Sequence, residues 1–322
     1  MTKAPSLSQA QGKRTRAGFA LLAVIWGVGI ISILVVSFMT TGRLRLQTAH
    51  NIASATQANY IADGVINLAT LTLMAQRNAK AGLPQNAPIQ DGAPRYCVFE
   101  GAAIAVAIED EAGKVDLNAA SPELLELTLV GLGVEARAAK SVVQSILAFR
   151  APPGLLGQQA SAPPSDKPFG PKQAPFETVL ELDQVDGVTP PLFHALVQLA
   201  TTYSRSAGVD ARASPPALFA ALAGFQLADV QALRAVPYPN ALDRGDRRFP
   251  AQFNQQSGQS AFLIHVEALL ATGQTVAKDA VLDLSSTSGK PFALREMRRG
   301  QSKYVGRLRE MIATNGAGVP DC

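Results

Sequence analysis

Residues 17–42 carry no charged side chain, and 19–39, FALLAVIWGVGIISILVVSFM, are almost wholly apolar. About 20 such residues cross the hydrocarbon core of a bilayer as a helix. Lys13, Arg14 and Arg16 stand directly before the segment. The positive-inside tendency therefore keeps the N-terminus cytoplasmic and sends the rest of the chain across the membrane. In a bacterium this describes a single-pass inner-membrane protein with a periplasmic C-terminal domain. An ordinary secretory signal peptide is the plain alternative, but its apolar region runs about 7–15 residues and ends at a small-x-small site. This one is longer and ends Phe38-Met39-Thr40-Thr41. No proline occurs over 17–83, and Leu44, Ile52, Ala55, Ala62, Ile66, Ala69 and Leu73 recur at three- to four-residue spacing. That pattern predicts one helix over 19–82, with Gly82 and Pro84 as its stop, about 90 Å long. A small-residue stripe, Ala49, Ala53, Ala58 and Ala62, predicts close packing against neighbouring helices.

The charge of the chain is concentrated beside this segment. Of 29 basic side chains four, Lys3, Lys13, Arg14 and Arg16, fall in the first 18 residues, which hold no acid. The remaining basic residues equal the 25 acidic ones, so the rest of the chain is neutral. A neutral remainder argues against a polyanion partner. Two cysteines, Cys97 and Cys322, exclude a disulfide-rich miniprotein and a four-cysteine zinc site. His50, His194 and His265 form no HExxH pair, and neither a P-loop nor a GxSxG nucleophile elbow is present. The chain reads as non-enzymatic.

At the junction Arg14-Thr15-Arg16-Ala17-Gly18-Phe19 a basic leader meets a glycine and then, with no spacer, the apolar helix. This resembles the prepilin type of signal, for which the resemblance implies cleavage by a prepilin peptidase between Gly18 and Phe19 and N-methylation of Phe19. Further stretches carry a closer resemblance: Gly18-Phe-Ala-Leu-Leu-Ala-Val-Ile-Trp26, Gln57-Ala-Asn-Tyr-Ile-Ala-Asp-Gly64, Asp110-Glu-Ala-Gly-Lys-Val-Asp-Leu-Asn118, Phe176-Glu-Thr-Val-Leu-Glu-Leu182 with Val185-Asp-Gly187, and Phe262-Leu-Ile-His-Val-Glu-Ala268. In these the chain resembles the general secretion pathway protein K family, the large minor pseudopilins of type II secretion. The resemblance implies an α+β, type IV pilin-like fold: a long N-terminal helix, transmembrane in its first half, packed on an antiparallel sheet. It also implies a large all-α insertion containing helix-hairpin-helix or SAM-like modules. Most pilin-like subunits carry a glutamate at the fifth mature position, here Ala23. A carboxylate in lipid needs a cationic partner, and the K subunits, which lack it, are implied to sit at the tip of the pseudopilus. The implied partners are the I and J minor pseudopilins, the prepilin peptidase and the inner-membrane platform. The implied work is to start pseudopilus assembly and cap its tip for export of folded proteins. No cofactor is required, although calcium is associated with the family.

The domain reading follows. Residues 1–18 are the leader, 19–82 the helix with its membrane part at 19–41, 83–115 and 258–322 a pilin-like β domain, and 116–257 the helical insertion. A strand is predicted over 96–109 from its alternation and its Val, Ile and Ala content, with further strands over 262–269 and 276–284 separated by turn signals. Within the insertion, Ser121-Pro122 before Leu125 and Ser214-Pro215 before Leu218 each predict a serine N-cap with proline at the first helical position. The proline- and glycine-rich 151–175 predicts a flexible loop.

Several further features have rival meanings. The 117–150 stretch with Val130-Gly-Leu-Gly-Val134, echoed by Val185-Asp-Gly-Val188, resembles the helix-hairpin-helix of DNA-uptake proteins, whose hairpin amides hold a phosphate. The alternative function is thus a membrane-anchored DNA-binding protein. The charges around it have the wrong sign: Glu123, Glu126 and Glu135 against Arg137 and Lys140, then Glu177, Glu181, Asp183 and Asp186 with no base until Arg205. A protein-contact module is the better reading. The acids at Glu109, Asp110, Glu111 and Asp116, and at Glu181, Asp183 and Asp186, suit calcium by chemistry without matching EF-hand spacing; a solvated acidic turn is the commoner explanation. Cys97 and Cys322 can pair in an oxidising periplasm, or Cys322 can be loose and unpaired. The basic run Arg295, Arg298, Arg299, Lys303, Arg307 and Arg309 reads as a solvated face, with docking of an acidic partner as the alternative.

Overall fold

The computed structural model describes residues 14–78, 90–152, 170–235, 248–285, 290–314, 318–320 and 322. Residues 1–13 of the expected leader, the expected helix stop at Gly82 and Pro84, and most of the expected loop at 151–175 lie outside them. Helix α1 spans Arg14–Asn78. The chain divides into two compact units, Met1–Gln57 and Ala58–Cys322.

The second unit contains the end of α1 from Ala58 onward, and its periodicity explains its place. Ala58, Ala62 and Ile66 are fully buried and Ile61, Val65, Ala69 and Leu73 nearly so, one face of a 3.6-residue helix. They pack on Ile104, Ile108, Phe262, Ile264, Val266, Ala280 and Leu282. Each large side chain buried this way stabilises by about 1.5–3 kcal/mol, and the alanines let the helix backbone approach the sheet. This corrects the expected stripe: Ala58 and Ala62 are covered by the chain's own sheet, whereas Ala49 and Ala53 are exposed. Only the latter two face outward, because beyond residue 57 a small residue is needed against the strands. Ala62→Leu is therefore expected to overfill the core at a cost of about 1–3 kcal/mol, while Ala53→Leu leaves the thermal midpoint of the head unchanged. Melting the two variants side by side checks this.

The sheet runs in the order β1-β2-β5-β6-β7 and is antiparallel throughout. Strands β1 (Arg95–Phe99) and β2 (Ala102–Asp110) replace the single strand expected over 96–109. Glu100 and Gly101 both take positive φ, 49° and 75°, and form the two-residue turn of a hairpin pairing Phe99 with Ala102. Strands β5 (Ala261–Leu269) and β6 (Thr275–Asp283) answer to the other two expected strands. Strand β7 (Ala293–Arg299) and a closing helix have no counterpart among the elements expected from sequence.

Between β2 and β5 the chain forms a helical insertion with its own core. It begins with a 3₁₀ turn, Glu111–Gly113, and β3 (Val115–Asp116), continues through α2 (Pro122–Gly131) and α3 (Ala136–Arg150), then a 3₁₀ turn at Val179–Gln184 and α4 (Pro190–Leu199), and reaches β4 (Ala200–Thr201), which pairs in parallel with β3. Helices α5 (Pro216–Ala223) and α6 (Leu227–Ala235) follow. Leu124, Leu129, Ile146, Leu182, Leu218 and Phe219 are fully buried in one cluster, with Phe149 stacked on Phe176 at 4.6 Å. Ser121 caps α2 as expected, accepting from the Leu124 amide at 3.2 Å. Ser214 does not cap α5: that helix starts at Pro216 after Pro215, and the Ser214 hydroxyl donates to the Pro215 carbonyl instead. A double proline moves the first turn one residue on, out of the serine's reach.

The expected basic face divides between two elements. Arg295 and Arg298 lie in β7 and pair with Asp283 and Asp279, while Arg307 pairs with Glu310 within α7 (Val305–Ala313). Charges on both faces of Ala293-Leu-Arg-Glu-Met-Arg-Arg hide its strand character, as is usual for a protected edge strand.

Candidate functional site

Within the first unit, α1 is the one described helix long and apolar enough to cross a membrane. Phe19 is 74% exposed, and Leu22, Ile25, Trp26, Ile33 and Phe38 are likewise bare. Its hydroxyls are satisfied within the helix: Ser32 donates to the Val28 carbonyl at 2.8 Å and Thr40 to Val36 at 3.1 Å, which suits a medium without water. Gly18 and Phe19 both lie inside α1, whose helical backbone begins at Arg14, so any peptidase must unwind this junction to reach it. Ala23 is exposed on the same helix.

The head fastens the second part of α1 with polar contacts. Lys278 donates to Asp63 at 2.7 Å and to the Asn59 carbonyl at 3.3 Å, and Arg77 donates to the Leu284 carbonyl. On the sheet face away from α1 a buried ionic chain joins three elements. His265 is 3% exposed; Nδ1–H donates to Asp279 at 2.6 Å and Nε2–H to Glu267 at 3.1 Å, which both require the imidazolium. Glu267 in turn accepts the Ser302 hydroxyl and the backbone amides of Lys303 and Tyr304, holding the start of α7. Gly300 is confined here, since a Cβ would come within 2.7 Å of Asp279 and 3.2 Å of the His265 ring.

The titration of this chain has a definite sign. Burial alone would lower the His265 pKa, but its bonds to Asp279 and Glu267 outweigh burial and hold it above the ordinary value. Burial would raise Glu267 and Asp279; the Lys303 amide and His265 for the first, and His265 for the second, hold both below it. With unfolded values near ~6.5 for histidine and ~4 for the carboxylates, the histidine's contribution is complete below about pH 6.5 and vanishes as pH rises through its folded value. The carboxylates' contribution is complete above about pH 4.3 and vanishes in acid. Head stability is expected to peak between these limits, and thermal midpoints of His265→Gln should lose much of the alkaline decline seen in the unaltered chain. Sequence patterning marks this strand without assigning a role to His265 or Glu267. Their signal is the two-residue spacing that places both on one face of an otherwise apolar strand.

Cys97 and Cys322 form a disulfide with Cα atoms 5.0 Å apart. The Val98 amide donates to the Pro320 carbonyl and the Cys322 amide to the Val98 carbonyl, both at 3.0 Å, so this segment covers the outer edge of β1.

The two hairpins are real turns, with Gly133 at φ 88° and Gly187 at φ 81°. The first offers no vacant phosphate cradle: the Glu135 carboxylate caps α3, accepting from the Arg137 and Ala138 amides at 3.1 and 3.2 Å. The second opens onto Pro190-Pro191, which have no amide hydrogen to give. The acids considered for calcium are similarly engaged. Lys114, almost fully buried, pairs with Glu109 and Glu111; Asp110 accepts from Ser257; Asp116 accepts from Asn118, Ala119, Ser204 and Arg205; Glu181 pairs with Lys172. Among the described residues no three His, Cys, Asp or Glu side chains are grouped to hold a metal ion.

A long helix whose second part lies on an antiparallel sheet, with a largely helical insertion between the second strand and the third strand of that sheet, is a type IV pilin-like fold; the insertion is not all-α as expected, because the short parallel pair β3–β4 ties its start to the end of α4. The structure is similar to a chain in the crystal structure of the GspK-GspI-GspJ complex from the enterotoxigenic Escherichia coli type 2 secretion system, with a TM-score of 0.50 and 16% identity, covering 81% of this chain and 99% of that one. At that identity the likeness is one of fold, and the fold is GspK-like. No family model matches the sequence, and no curated protein matches it.

Proposed function

We propose that the protein is a K-type minor pseudopilin of a type II secretion system, a non-enzymatic subunit of the inner membrane with its head in the periplasm. The observation that carries this reading is the combination of an exposed membrane-length helix, beginning at a basic leader and Gly18-Phe19, with a pilin-like head bearing a helical insertion. The structural neighbour was solved within a GspK-GspI-GspJ complex, which supports I- and J-type minor pseudopilins as partners. In this reading a prepilin peptidase cuts after Gly18, Phe19 is N-methylated, and the freed helix packs beside those of its partners. Ala23 offers no carboxylate to a subunit ahead, which fits a place at the tip, where assembly starts and the head is the leading face. The Cys97–Cys322 bond fits an oxidising compartment. A DNA receptor is less well supported, because Glu135 sits where a phosphate would be held.

The test is the N-terminal mass of the membrane-extracted chain from cells with and without a prepilin peptidase. A start at N-methyl-Phe19 that depends on the peptidase, and is lost in Gly18→Glu, is expected. An uncut leader in both strains would overturn the reading.

A further inference from the structure

Between the helical insertion and the far face of the sheet lies an open cleft of about 580 Å³, within the usual range of about 300–1,000 Å³ for ligand clefts. Its insertion wall carries Leu180 and Leu227, 46% and 43% exposed. These are two of the three large apolar side chains that the described insertion leaves bare, the third being Val130. Leu263 on β5 faces them. The opposite rim is basic. Four cations line the cleft, Lys114, Arg298, Arg299 and Lys303, against two acids, Glu109 and Asp279. Both acids are already spent, Glu109 on Lys114 and Asp279 on His265 and Arg298. Arg299 and Lys303, both exposed, make no ion pair with another described residue. Lys303 lies within electrostatic reach of Glu109 and Asp279 without a direct bridge to either. Bare leucines on one wall and cations in excess of acids, two of them without a direct ion pair, on the other are complementary to a chain that alternates acidic and apolar side chains, the pattern of an extended segment with two faces.

We propose that this cleft docks an extended, acidic, leucine-bearing peptide segment of another protein, with its carboxylates on Arg299 and Lys303 and its apolar side chains against Leu180 and Leu227. The site stands on the head alone and does not depend on the secretion reading.

The test uses the full chain in dodecylmaltoside and a fluorescein-labelled octapeptide of alternating glutamate and leucine, read by fluorescence anisotropy against empty micelles. Saturable binding is expected, weakening severalfold between 50 and 300 mM salt as charge screening requires. The double variant Arg299→Gln/Lys303→Gln and, separately, Leu227→Glu should each weaken it at least fivefold. Both changes are on exposed side chains, and unchanged circular dichroism confirms that the head is folded. Equal binding of a lysine-leucine peptide, binding untouched by both variants, or no binding above micelles would each overturn the proposal.

Discussion

Cys322→Ser should lower the thermal midpoint of the head by about 10–20 °C. The bond it removes closes a loop of 225 residues. In the chain-entropy account, a crosslink of that span removes about 5 kcal/mol of freedom from the unfolded chain. A domain of this size shifts its midpoint by about 2–4 °C per kcal/mol. The folded state loses something too, because the ladder between Val98, Pro320 and Cys322 is held in place by the bond, and its release uncovers the amide row of β1. Reduction of the unaltered chain should reproduce the variant's midpoint, since both leave the same sheet without its tie. A midpoint within 2 °C of the oxidised protein in both experiments would mean that the segment stays docked by its hydrogen bonds and that the unfolded chain is compact enough to make closure cheap.

The parts of this fold that could be read from sequence are those whose burial is one-sided and regular. The membrane helix was legible because uncharged composition over more than 20 residues has one physical outcome. Its continuation was legible because Ala62, Ile66, Ala69 and Leu73 repeat at the helical period. Strands β5 and β6 were legible as short apolar runs bounded by turn signals. What was missed breaks those regularities. Glu100-Gly101 interrupts an alternating run without changing its composition, so a hairpin passed for a strand. Strand β7 carries charge on both faces because it is an edge. Ala58 and Ala62 have the composition of a helix-packing stripe, and only the presence of a sheet decides what covers them. At the candidate sites the same division holds. Gly18, Phe19 and Ala23 are meaningful as a sequence pattern and nearly featureless as structure, a stretch of bare helix. The His265 chain is the reverse, obvious once three elements meet and almost silent in a linear reading, because Asp279 lies 14 residues from His265 and Ser302 lies 35 residues from Glu267.

Gly131→Ala is expected to destabilise the head by about 3 kcal/mol, at the upper end of overpacking costs. Gly131 ends α2 where α5 crosses it, and a Cβ there would lie 2.4 Å from the Ala221 carbonyl oxygen and 2.7 Å from its carbon. Those are backbone atoms of a buried helix, so no side chain can swing aside, and α2 and α5 must separate. Gly133, two residues on, is the matched control. It takes φ 88° with no atom within 4 Å of where a Cβ would stand, so Gly133→Ala meets only the backbone penalty of about 1–2 kcal/mol. The pair separates two meanings of one motif. If Val130-Gly-Leu-Gly-Val134 exists to present amides to a phosphate, both glycines serve the turn and their losses should be similar in size. If the motif exists to let two helices touch, as the geometry has it, the loss at Gly131 is the larger by about 1–2 kcal/mol, the difference between the two costs. Chemical denaturation midpoints of the two variants decide it, and equal midpoints would remove helix contact as the reason for the first glycine.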